Sequence, residues 1–94
     1  MAELTRDLVI QNELGLHARA AALLVGLVAR HKPDFWLRKE DMEINGKSIM
    51  GVLMLAAAKG TTLTARVVGP EEQGLKDMLD QVEELVNNKF GEGR

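Results

Sequence analysis

The sequence predicts an α+β fold, β-α-β-β-α-β-α, with a four-stranded antiparallel sheet and three helices on one face. Three observations lead there. Short runs with period-2 alternation are interleaved with runs of helical spacing; the strands are too few to close a barrel; and the helices are too few and too dispersed for a bundle. At 94 residues, 46% hydrophobic and 28% charged, the chain is expected to form one domain, 1–94, around a modest core.

Leu4, Leu8 and Ile10 share one parity and mark the first strand. Asn12-Glu13-Leu14-Gly15 supplies turn residues, and the Ala- and Leu-rich run from Ala18 to Arg30 has high helix propensity before Pro33 closes it. Phe35–Arg38 and Met42–Ile44 alternate on either side of Lys39-Glu40-Asp41, a hairpin. Ser48 is a fitting N-cap for a short apolar helix through Leu55 or slightly beyond, ended by Lys59-Gly60. Leu63, Ala65 and Val67 alternate with Thr64 and Arg66 in a fourth strand that stops at Gly69-Pro70. Pro70 suits the first turn of the last helix, Glu71 and Glu72 complement its dipole, and its apolar stripe is Leu75, Met78, Leu79, Val82, Leu85 and Val86. Phe90 to Arg94 are expected to fray, with 91–94 as a loose tail.

Composition removes several function classes. A net charge of -2, with 12 basic and 14 acidic residues scattered along the chain, gives no footprint for nucleic acid. One Trp, two Phe and no Tyr leave little for base stacking. Without cysteine there is no disulfide, thiolate-zinc site or thiol nucleophile, which suits a reducing compartment. The first residues have no signal-peptide pattern. The longest apolar run, Ala20–Ala29, is well short of the roughly 20 residues of a bilayer span, so neither export nor membrane insertion is expected.

The chemistry concentrates at two helix starts. His17 and His31 would lie roughly 20 Å apart along a regular helix at about 1.5 Å per residue, too far to share a metal. There is no Ser-His-Asp pattern and no Gly-rich phosphate loop. Gly15-Leu16-His17-Ala18-Arg19 places an imidazole at a helix N-terminus, where free N–H groups and the dipole favour an anion. Arg19 adds a cationic fork that matches phosphate oxygens. Such a short motif also occurs by chance, and a histidine merely sitting at a helix end is the simpler reading of these residues alone. His31 reads as a solvated residue near a helix C-terminus. At the second start, N-capping alone accounts for Ser48. In the helix it opens, Val52, Leu55 and Ala56 form one face and Ile49, Met50 and Leu53 another, and so small a domain is expected to leave one of them exposed for docking.

Taken together, Asn12 with Gly15–Arg19, and Asn45-Gly46-Lys47-Ser48-Ile49-Met50-Gly51-Val52, resemble the active-site and regulatory segments of HPr-type phosphocarriers of the bacterial phosphotransferase system, at that family's separation. The resemblance covers nearly the whole chain. It implies an open-faced β-sandwich in which His17 takes a phosphoryl group on Nδ1 from phospho-enzyme I and gives it to IIA-type domains, with Arg19 holding the group. It also implies that Ser48 is the regulatory serine, a substrate of HPr kinase/phosphorylase where that enzyme exists, and that Ile49, Met50 and Leu53 form the docking patch. The expected protein is a cytoplasmic monomer without cofactor or metal, a carrier rather than an independent catalyst, with transcriptional regulators among its further partners. One departure stands out: Ala20 occupies the place where the family usually has Pro, which bears on the rigidity of the site.

The alternatives are a nitrogen-branch homologue, which Leu53-Met54-Leu55, Ala58-Lys59-Gly60 and Gly69-Pro70-Glu71-Glu72 also resemble, or a purely regulatory module that binds partners without cycling phosphate. The Asn-Gly-Lys-Ser segment favours the sugar branch, and the intact His17 and Arg19 favour a carrier. A small-molecule enzyme ranks last, since it would need a deep pocket and a second catalytic group.

Overall fold

The computed structural model describes residues 1–94, and its elements keep the expected order: β1 (Ala2–Val9), α1 (Ala18–Val28), β2 (Asp34–Lys39), β3 (Met42–Asn45), α2 (Ile49–Met54), β4 (Thr62–Gly69) and α3 (Glu72–Asn87). All strand pairings are antiparallel, and the sheet runs β1-β4-β2-β3, so the last strand in sequence lies inside the sheet. Three helices cover one face, giving the expected open-faced α+β sandwich.

The alternation read from sequence is the register of this sheet. Leu8 lies opposite Leu63, Phe35 opposite Val67, and Leu37 opposite Ile44. Leu8, Phe35, Leu37, Leu63, Ala65 and Val67 bury their side chains against the helices. From the helical layer come Ala20, Ala21, Leu24 and Val28 of α1, Val52 of α2, and Leu75, Met78, Leu79, Val82 and Val86 of α3. Removing a large side chain of this set from water is worth about 1.5–3 kcal/mol. The opposite sheet face is polar: Thr64 donates to Asp7 at 2.9 Å, and Arg66 stacks over Trp36 at 5.6 Å while pairing with Glu43. It needs no further layer.

Some boundaries differ from expectation. Helix α1 stops at Val28, two residues before Arg30, as Ala29 caps it ahead of Pro33. Pro70 lies outside the first turn of α3, because Glu71 is still extended at φ -128°, ψ 125° and serves as the N-cap. Ser48 caps α2 as expected, its Oγ accepting from the Gly51 N–H at 3.1 Å.

The C-terminal tail departs most. Beyond α3, Lys89, Phe90 and Gly91 take φ of 55°, 55° and 78°, a left-handed reversal that turns the chain back toward the start of α1. Lys89 and Phe90 each carry a cost of order 1–3 kcal/mol at such angles. Burial of the Phe90 ring, only 3% exposed, offsets it. The residues expected to fray are thereby seated, and Glu13 N–H donates to the Arg94 carbonyl at 3.1 Å.

Candidate functional site

Residues 10–17 join β1 to α1 and are fixed from three sides. Ile10 extends the ladder beyond β1, donating to Thr61 O at 2.9 Å and accepting from Gly60 N–H at 2.7 Å. Asn12 is fully buried; its carbonyl accepts the Gly15 N–H at 3.1 Å, and its side-chain amide donates to Gly15 O at 2.9 Å. Leu16 N–H donates to Ala57 O at 2.9 Å, tying the loop to the segment just after α2. Gly15 sits at φ 66°, and a Cβ there would run into the Ala57 carbonyl. Both constraints demand glycine.

This frame delivers His17 as the N-cap of α1, with φ -77° and ψ -180° and no side-chain cap bond. The first N–H bonded back into the helix is that of Ala21, which donates to His17 O at 2.8 Å. The N–H groups of Ala18, Arg19 and Ala20 donate to nothing within the protein. They form the anion seat expected of a helix start. The Arg19 side chain is 70% exposed and free to swing toward a ligand there.

One member of the site is absent from the residues singled out in the sequence. Glu92 Oε2 lies 2.5 Å from His17 Nε2, Glu92 Oε1 accepts from the Asn12 amide at 2.9 Å, and Arg19 Nη2 stands 3.9 Å from the same carboxylate. The hydrogen bond from His17, and then that from Asn12, holds the Glu92 carboxyl below its ordinary range. No hydrogen bond involves His17 Nδ1. Between the start of α1 and the tail lies a groove of about 460 Å³, lined by Glu13, Leu14, Arg19 and residues 91–94.

The remaining expected residues lie elsewhere. His31 lies just past α1 as expected; its Nε2 is 3.1 Å from Gln81 Oε1 in an exposed contact, and its backbone carbonyl accepts from Lys47 Nζ at 2.7 Å. On α2, Val52 and Leu55 are buried while Ile49 and Met50 are exposed, as the two-faced spacing required. Ala56 is outside the helix at φ 47° and exposed, and Leu53 packs partly against the core. Beside Ile49 and Met50, Met54 is the third large apolar side chain of α2 that is exposed.

The family model for the "PTS HPr component phosphorylation site" matches residues 4–88. This chain belongs to the HPr family of phosphotransferase-system phosphocarriers. It is 41% identical over 90 residues to phosphocarrier protein HPr of Neisseria meningitidis, covering 96% of this chain and 98% of that one. To phosphocarrier protein HPr of Pseudomonas putida it is 45% identical over 89 residues, 94% of this chain and 96% of the other. Among solved structures, HPr of Thermoanaerobacter tengcongensis superposes with a TM-score of 0.79 at 36% identity over the whole of both chains. These HPr relatives are phosphocarriers by name, which favours the carrier over the nitrogen-branch or purely regulatory alternative. No helix is long and apolar enough to cross a membrane.

Proposed function

We propose that His17 is the phosphoacceptor, taking the phosphoryl group on Nδ1 from phospho-enzyme I and passing it to IIA-type domains. The observation that carries this is the pairing of an imidazole, whose Nε2 is engaged by Glu92, with three unused N–H groups at the head of α1. Nδ1 is then the ring nitrogen left to attack, and the helix start and Arg19 receive the charge of the transferred group. The protein works in the cytoplasm as a monomeric carrier, with no reaction of its own apart from donor and recipient. Ser48, as the N-cap of α2, is the regulatory serine, and the surface beginning with Ile49 and Met50 is where enzyme I, IIA domains, the HPr kinase/phosphorylase and transcriptional regulators dock.

The test is incubation with enzyme I and labelled phosphoenolpyruvate. His17→Ala abolishes acid-labile label, and His31→Ala retains it. Label that persists without His17, or vanishes with His31, refutes the assignment.

A further inference from the structure

We infer that Glu92, carried on the C-terminal tail, is a positioning residue for phosphoryl transfer: its carboxylate orients the His17 ring through Nε2–H and stabilises the cationic ring formed when Nδ1 is phosphorylated. The inference rests on His17 being the acceptor.

The geometry is that of a nucleophile's ring held by a carboxylate on its far nitrogen. Oε2 is 2.5 Å from Nε2; with the proton of the neutral ring on Nε2, facing the carboxylate, Nδ1 keeps its lone pair. In the transfer step that lone pair forms a bond to phosphorus while the donor's N–P bond breaks, its electron pair staying on the donor imidazole. Nε2 keeps its proton throughout, so the His17 ring gains a positive charge. That charge develops beside Glu92, whose side chain is only 8% exposed. A hydrogen bond from a neutral ring to a carboxylate that turns into an ion pair in the product lowers the barrier more than it stabilises the free carrier.

The carboxylate is fixed in place. Its second oxygen is held by buried Asn12 at 2.9 Å, the same amide that clamps Gly15, so the tail and the histidine loop share one anchor. Phe90, 3% exposed, and the left-handed turn at Lys89–Gly91 pin the tail just upstream. The lowered Glu92 titration agrees with an ionised partner at neutral pH. Arg19, at 3.9 Å, balances the carboxylate without closing on it, which leaves its guanidinium for the incoming group.

The experiment compares the full-length chain with Glu92→Gln and Glu92→Ala in steady-state uptake from phospho-enzyme I, together with 15N spectra of the His17 ring. Both variants should lose about tenfold in kcat, the size of effect one charged hydrogen bond in a transition state can have, with KM within about twofold. Glu92→Asp should recover part of the loss. The Nε2–H signal, slow to exchange in the parent, should exchange faster in Glu92→Ala. Uptake as fast as or faster than the parent's in both variants overturns the inference, as does a change confined to KM, which would place Glu92 in docking. Label retained by His17→Ala fails the acceptor assignment instead, whatever the Glu92 variants do.

Discussion

The carbonyl of Ala57 accepts the amide of Leu16 at 2.9 Å, so the loop that presents His17 is bonded to the segment leaving the Ser48 helix. The loop that opens α1 and the segment that follows α2 are therefore parts of one support. Gly15, adjacent to that bond, is where the support is least tolerant of change.

Gly15→Ala should destabilise the protein by about 2–4 kcal/mol, since it combines a left-handed φ with a steric collision against backbone. Urea denaturation measures the cost. A loss below about 0.5 kcal/mol would mean that the loop rearranges freely and that Gly15 is no constraint. Gly26→Ala, in mid-α1 with open space at its Cβ, is the control and should be neutral or mildly stabilising.

Tail docking should depend on pH in one direction. The folded-state pKa of Glu92 lies below its usual value of 4.5, so its pairing contributes fully above that value and is lost as pH falls through the lowered one. In an NMR titration the Asn12 side-chain amide and the backbone of residues 91–94 should shift toward free-peptide values only below the ordinary carboxylate range, with the sheet still intact. Release of the tail on raising the pH from 5 to 7 would contradict this sign.

Ala20→Pro should stabilise the fold by about 0.4–1 kcal/mol and leave His17 phosphorylatable. The Ala20 N–H donates to nothing in the protein, and Leu16 lies outside the helix, so the proline ring meets no helical carbonyl there. The anion seat keeps the N–H groups of Ala18 and Arg19. Thermal melts and uptake rates are measured side by side, and a clearly destabilised variant would sink the prediction.

Ser48→Asp should leave circular dichroism and melting temperature near those of the parent, because Asp caps as well as Ser and can accept the same Gly51 N–H. Its charge beside the exposed Ile49 and Met50 should nonetheless slow His17 phosphorylation several-fold. An unchanged rate in a partly melted domain would leave Ser48 as a cap alone.

The elements were legible because a half-buried strand and a helix with one buried face impose periods that sequence displays; both the Leu63–Val67 alternation and the α3 stripe appear in the burial of those residues. Strand order was not, since periodicity says which face a residue presents and nothing about its neighbour; the place of β4 between β1 and β2 comes from long-range packing. At the site, His17, Arg19 and the Ser48 cap were legible as helix-start chemistry. Glu92 was not, because Gly91-Glu92-Gly93-Arg94 has no apolar pattern and its partner is 75 residues away. The usable hint was Phe90, which continues the Val82, Val86 spacing one step past the end of α3 and anchors residues 91–94. Leu53 was expected on the exposed face but packs partly against the core, and Met54, assigned to neither face, is exposed, because α2 is too short for its faces to be told apart by spacing alone.

The position of β4 also governs when the protein can exist during synthesis. Until residues 62–69 leave the ribosome, β1 and β2 have no strand to join them, and the nascent chain carries bare sheet edges. Loop closure over so long a separation makes the β1–β4 pairing a late event in folding. The start of the histidine loop depends on the same region, because the backbone of Ile10 bonds to Gly60 and Thr61, immediately before β4. A chain interrupted before Gly60 therefore carries His17 without the partners at Gly60 and Thr61 that continue the ladder into its loop.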